Sequence, residues 1–295
     1  MFDIIGIPPQ ALFGQLLLGL INGSFYAVLS LGLAVIFGLL NIINFSHGAL
    51  YMMGAFSAWM LLHYLGINFW AALVLAPIIV GAIGIVMERL LLARLYELDH
   101  LYGLLLTFGL TLVITGLFQN FYGISGLPYQ IPELLAGADN LGFMFLPRYR
   151  AFVVVASVAV CVGTWFMIER TRLGANLRAA TENPELVEAF GINVPRLITL
   201  TYGFGVALAA FAGVLAAPIY SVNPIMGNDL IIVVFAVVVI GGLGSIMGSV
   251  LTGFGLGVIE GLTKVFYPEA STTIIFIIMA LVLLVKPHGL FGREA

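Results

Sequence analysis

Charge is what this sequence most lacks. Asp, Glu, Lys and Arg make up 8% of its 295 residues and hydrophobic residues 62%, whereas a soluble domain averages roughly 25% charged and 45–50% apolar. A water-solvated globule is excluded, and most of the chain must be solvated by lipid. One cysteine, Cys161, excludes an internal disulfide and reads as a small buried hydrophobe in an apolar run. A net charge of -3 gives no case for nucleic acid or a polybasic surface. The amino-terminal MFDIIGIPPQ carries Asp3 and no Lys or Arg, so it lacks the basic region of a cleavable signal peptide, and the first span is expected to remain. No G-x-x-x-x-G-K-[ST] loop is present: Lys264 follows Gly-Leu-Thr and Lys286 precedes Pro287. H-E-x-x-H and other metal-ligand spacings are missing too, which argues against an intramembrane enzyme.

What is present is a series of long uncharged blocks. An ionised side chain at mid-bilayer costs roughly 2.5–3.5 kcal/mol, so the blocks mark the spans. At about 20 residues per helical crossing, spans are expected near 11–38, 46–64, 68–88, 101–120, 150–168, 197–218, 229–262 and 272–286. The fold class is therefore all-α, a polytopic transmembrane helix bundle of eight or nine spans. The uncertainty in number lies in GGLGSIMG, where Gly241, Gly242, Gly244 and Gly248 are expected to interrupt the 229–262 helix. The whole of 1–295 reads as a single transmembrane domain with connections at about 121–149 and 169–196.

Arg170, Arg172, Arg178 and Arg196, then Arg89 and Arg94, then Lys286 and Arg293 fall on one side if 229–262 crosses twice. The positive-inside rule makes that side cytoplasmic, with the C-terminus inside and the N-terminus outside. The 121–149 connection then faces outward, and Pro128, Pro132 and Pro147 give it the character of an ordered non-helical loop.

Within the basic connection, TENPELVEAFGIN is a compact polar stretch. Asn183 is placed to cap a helix, Pro184 to open it, Glu185 to meet the positive end of its dipole, and Gly191 to stop it. The spacing predicts a helix of about two turns over Pro184–Phe190, with Leu186 and Phe190 at i, i+4 and Val187 beside them forming an apolar ridge flanked by Glu185 and Glu188. So short a helix must pack on its own spans or on a partner.

In the spans, Asn44, Ser46 and His47 of NFSHG form the densest polar cluster. For His47 three readings stand: a neutral imidazole bonded between helices, a lining group of a solute pathway, or a proton carrier. Asn22 and Ser24 read as helix-packing groups or as solute contacts. Gly48 follows His47, and Gly241, Gly242, Gly244 and Ser245 occupy a comparable place in the second half, a weak internal symmetry that would locate a transport site, or else a coincidence of glycine-rich composition. Glu260 is expected in a surface-proximal ion pair with Lys264 at i, i+4.

RAATENPELVEAFGINVPRLITLTYGFGVALAAFAGVL, NGSFYAVLSLGLAVIFGLLNIINFSHGALYMMGAF and AVVVIGGLGSIMGSVLTGFGLGVIE together resemble the branched-chain amino acid permeases of bacterial ABC importers, in matching order and spacing. The EAFG of Glu188–Gly191 sits where importer permeases carry their EAA-type coupling segment, although its letters differ from that form. The resemblance implies a permease of the inner membrane that pairs with a second permease chain, binds two cytoplasmic ATPase subunits and receives amino acid from a periplasmic substrate-binding protein. ATP and Mg would then be held by the ATPases and no cofactor by this chain. It further implies that Glu182, Asn183, Glu185, Leu186, Glu188, Ala189, Phe190 and Gly191 make the ATPase contact, and that the polar and glycine clusters border the pathway. The rival class is a self-sufficient secondary transporter or channel for a small polar solute, which would need buried ionisable groups. A permease of the same type for an amide, urea or aromatic acid is the nearer alternative.

Overall fold

A computed structural model describes residues 8–40, 44–96, 98–142 and 144–292. Asp3, Arg293 and positions 41–43 of the first expected break lie outside the described residues. Among the described residues there are eleven helices: α1 Pro9–Leu40, α2 His47–Leu65, α3 Phe69–Leu90, α4 His100–Tyr122, α5 Arg148–Arg170, α6 Arg172–Glu182, α7 Pro184–Ala189, α8 Val194–Tyr220, α9 Asn228–Gly241, α10 Ile246–Phe266 and α11 Thr273–Val285. The architecture is all-α apart from a small antiparallel hairpin, β1 Ala138–Asn140 with β2 Phe145–Pro147, inside the connection read as non-helical.

Among the described residues, six stretches are long and apolar enough to cross a membrane: Gln10–Gly38, Phe69–Leu95, His100–Tyr122, Arg148–Arg170, Val194–Tyr220 and Ile246–Phe266. α9 and α11 are shorter apolar helices. α2 is 19 residues long and diluted by His47, Ser57 and His63. The expected 229–262 span is two helices, broken at 242–245, where Gly242 (φ 101°) and Gly244 (φ 80°) adopt backbone that a side chain resists.

Helix starts repeat one chemistry. Asn68, Asp99, Asn183, Asn193 and Ser245 each accept a hydrogen bond from a backbone N–H two or three residues on, at 2.9–3.1 Å. Each removes one of the orphan donors of a first helical turn.

The chain divides into two compact units. One comprises Leu31–Gln130 and Val162–Ile232. In it α2, α3 and α8 pack together at glycine and alanine: a Cβ on Gly54 would strike the Ala210 backbone, one on Gly213 would strike Tyr51, and one on Gly84 would meet Val206 at 2.8 Å. Lipid is as apolar as a side chain, so helices gain little by burying surface and instead associate through close backbone approach. The other unit comprises Met1–Ser30, Ile131–Cys161 and Val233–Ala295. It follows the same rule, with Gly19 and Gly23 of α1 against Gly253, Gly257 and Gly261 of α10.

Candidate functional site

The basic connection holds two helices. α6, which the sequence reading did not anticipate, is tied back to the end of α5 by Arg178, whose Nη1 donates to the Ile168 carbonyl at 3.0 Å and lies 3.4 Å from Glu169 Oε2. Gly174 rests directly on the Ile168 backbone. α7 follows, capped by Asn183 through Leu186 N at 3.0 Å and opened by Pro184. It ends at Ala189, with Phe190 as its C-terminal cap and Gly191 at φ 82°. Six residues give the helix no room for a ridge of three. Val187 turns inward, 6% exposed, onto Ala180 and Val194 with Ile192, Leu197 and Ile198 around it. Leu186 and Phe190 point outward, 55% and 77% exposed. The expectation that Val187 shares their ridge is thereby corrected: Leu186 lies about 100° around the helix from Val187, and because the helix ends at Ala189, Phe190 as its cap leaves the i, i+3 position that would have set it beside Val187. Glu182, Asn183, Glu185, Glu188, Ala189 and Gly191 are all exposed around the outward pair.

The polar cluster after α1 is buried in the same unit. Asn44, Ser46 and His47 are at most 1% exposed. Asn44 Nδ2 donates to Tyr202 Oη at 3.0 Å, and Asn44 Oδ1 accepts from Ser46 N at 3.0 Å and Ser46 Oγ at 2.5 Å. Phe45 N donates to Thr107 Oγ1 at 3.2 Å. The His47 ring lies 3.1 Å from where a Cβ on Gly32 would stand, and Gly48 meets the Gly227 carbonyl in the same way at 2.6 Å. Asn22, by contrast, is half-buried.

Next to this cluster is a carboxylate that the sequence pattern does not single out. Glu88, at the last turn of α3, is 2% exposed. Its Oε1 accepts from Tyr96 Oη at 2.5 Å and its Oε2 from Thr199 Oγ1 at 2.8 Å. Burial first, and then the bond to Glu88, raise the Tyr96 hydroxyl above its ordinary range, so it stays a donor. No spacing signal links Glu88 to Thr199, which lies 111 positions away.

In the other unit, the glycine break has its loose backbone groups taken up by the end of the chain. Leu290 N donates to the Ile240 carbonyl at 2.8 Å and Phe291 N to the Gly241 carbonyl at 3.2 Å. Gly241 is pressed against Gly248, and Gly242 against Gly289 and Gly292. Gly244 and Ser245 are half-exposed, and Ser245 caps α10. The Asn44 group and the glycine break thus belong to different units.

The family described as branched-chain amino acid transport system, permease component, matches residues 15–284. The chain belongs to that family. This permease is 32% identical over 296 residues to BraD of Pseudomonas aeruginosa, a high-affinity branched-chain amino acid transport system permease protein, with 95% of each chain covered. It is 31% identical over 297 residues to LivH of Escherichia coli K12, again across 95% of each. LivM of Salmonella typhimurium is 28% identical over 292 residues, spanning 90% of this chain and 67% of LivM. No solved structure matches. The permease is a multi-pass membrane transport subunit rather than an enzyme.

One further expectation changes. Glu260 of the permease is not near the surface but 3% exposed. Lys264 Nζ does reach its Oε1 at 2.6 Å, and Tyr26 Oη donates to its Oε2 at 2.7 Å from α1. Helical periodicity supplies the lysine, and the α1–α10 glycine contact supplies the tyrosine.

Proposed function

We propose that this permease carries branched-chain amino acids inward as half of a membrane pathway, driven by separate ATPase subunits that dock on α7 and fed by an extracytoplasmic binding protein. The observation that carries the coupling reading is the pair Leu186 and Phe190. Two large apolar side chains stand exposed on a helix whose inner face is already packed. A hydrophobic pair rimmed by Glu182, Glu185 and Glu188 suits a partner groove with basic edges. Asn183, Ala189 and Gly191 complete the exposed contact surface.

The topology that goes with this reading is nine crossings, α9 and α10 counted separately, in one permease domain. The N-terminus lies outside and the C-terminus inside, in the plasma membrane. Arg89, Arg94, Arg170, Arg172, Arg178 and Arg196 then gather on the ATPase side. The matching of both LivH and LivM to one chain supports a related second permease as the partner. No cofactor belongs to this chain in the reading; ATP and Mg sit on the ATPases.

For the pathway, the partly exposed members of the candidate set within one unit, Asn22, Gly244 and Ser245, are proposed to border it. Gly241 and Gly242, packed in that same unit, and separately the buried Asn44, Ser46, His47 and Gly48 of the other unit, are each proposed to support pathway-lining structure within their own unit. Glu88 and Glu260 are the feature a secondary transporter would use, but both already accept donors from their own chain.

The test is labelled leucine uptake into vesicles holding the permease pair, the ATPases and the loaded binding protein. ATP-dependent uptake that disappears when this chain is omitted supports the reading. Uptake by this chain alone overturns it.

A further inference from the structure

We propose that Thr199 and Tyr202 of α8, the first held by Glu88 of α3 and the second by Asn44, form a buried latch that transmits displacement of the 184–193 segment to Asn44 and Ser46 ahead of α2, with Thr199 and Tyr202 as positioning residues. The proposal rests on the reading that this segment receives the ATPase contact. Four features lead to it.

The base is stiff. Val187 is clamped between Ala180 and Val194, and Asn193 caps α8 through Arg196 N at 2.9 Å, so α7 moves only with the foot of α8. Along α8, Thr199 and Tyr202 stand three positions apart and share a face. Thr199 reaches the end of α3 through Glu88, and Tyr202 reaches the stretch ahead of α2 through Asn44, which in turn holds Ser46. One rigid rod thus grips two other elements through buried polar contacts, where misplacement leaves groups unsatisfied rather than rehydrated.

The latch also has two settings. Thr199 Oγ1 lies 2.8 Å from Glu88 Oε2 and 2.9 Å from the Pro195 carbonyl, and its single proton serves one at a time. Turned to Glu88 it ties α8 to α3; turned to Pro195 it closes on its own helix and frees α3. A side chain with two discrete partners is the bistable element that coupling between distant sites requires.

Close packing flanks the latch. Gly203 meets Ile85 of α3 where its Cβ would be, at 2.5 Å, and Gly205 meets Gly32 of α1 at 2.8 Å. Gly203 is thus a notch filled by Ile85, and Gly205 one filled by Ile36 at 2.6 Å, so close packing and the two polar grips together set the register of α8.

The experiment uses the assembled transporter in vesicles and reads leucine uptake and binding-protein-stimulated ATP hydrolysis on the same preparation. Thr199→Val and Tyr202→Phe are expected to lower uptake per ATP hydrolysed by about fivefold or more, the low end of coupling between sites. Hydrolysis itself is expected to stay near wild type, and Thr199→Ser to restore the ratio. An unchanged ratio in both variants overturns the latch, and so does a proportional fall of uptake and hydrolysis. Where Thr199→Val unfolds, Tyr202→Phe decides, because it removes one oxygen and keeps the ring. Failure of the ATPase-contact reading shows separately, as uptake and hydrolysis insensitive to Leu186→Ala and Phe190→Ala.

Discussion

Val187 and Phe190 sit three positions apart at one short turn of chain, and one is 6% exposed while the other is 77% exposed. The first fixes the segment to α6 and α8; the second is left for something else to cover. Their roles separate on substitution. Leu186→Ala with Phe190→Ala is expected to leave the permease folded, with an unchanged melting temperature in detergent, and to weaken ATPase co-purification by about tenfold or more, as loss of a central apolar anchor does. Val187→Asp is expected to destabilise the segment itself by about 2–4 kcal/mol through a buried unpaired charge, read as protease cleavage between Glu182 and Asn193. Retention of ATPase binding by the double alanine variant would remove α7 from the interface.

Gly191 has φ 82° and open space where a Cβ would stand. Its requirement is for backbone, not room. Gly191→Ala is expected to cost about 1–2 kcal/mol of local stability from the left-handed conformation, and Gly191→Asn less. Hydrogen exchange at Ile192, whose N–H bonds the Val187 carbonyl, reports it. Equal protection in all three proteins would contradict the account.

Glycines that touch a neighbouring backbone differ from those that do not. Gly54→Ala and Gly213→Ala force α2 and α8 apart and are expected to lower stability by at least the roughly 1–3 kcal/mol of an overpacked core. Gly109→Ala and Gly116→Ala on α4 meet nothing within 4 Å and are expected to be neutral or slightly stabilising. Thermal unfolding in one detergent compares all four; similar midpoints would refute close packing as the force that holds this unit.

Tyr26→Phe removes one of the two groups that satisfy Glu260. The expected cost is about 1–3 kcal/mol, that of a buried acceptor left short of a donor. Glu260→Gln in the Tyr26→Phe background is expected to recover part of it, because a neutral amide is less costly to bury. Additive losses in the two variants would show that the residues do not interact.

The β1–β2 hairpin has a pH dependence of defined sign. The Arg148 hydrogen bond to Asp139, 2.9 Å from Nε and 2.7 Å from Nη2, holds the carboxylate below its ordinary value of 3.8. The group is lowered, so its contribution is present above that ordinary value and is lost as pH falls through the folded one. Exchange at Arg148 N, bonded to the Gly137 carbonyl, is expected to accelerate relative to the intrinsic rate below about pH 4 and in high salt, since the pair is half-exposed. Salt-insensitive protection through that range would show that β1 and β2 stand without the ion pair.

The sequence by itself determined whatever depends on neighbours along the chain. Scarcity of charge set the apolar helices, Asn183 with Pro184 and Gly191 set the start and stop of α7, four glycines set the break between α9 and α10, and i, i+4 spacing set Lys264 on Glu260. Only the tertiary structure decided which of Leu186, Val187 and Phe190 faces outward, and that Glu88 meets Thr199 across 111 positions. It also decided that Asn44 and His47 are walled in rather than exposed, and that residues 290–291 close the glycine break. The division has one cause. In lipid, apolar pattern says that a helix must be buried but not against what, and the partner is selected by backbone shape at glycines and by matching donors to acceptors, both of which exist only once the helices have met.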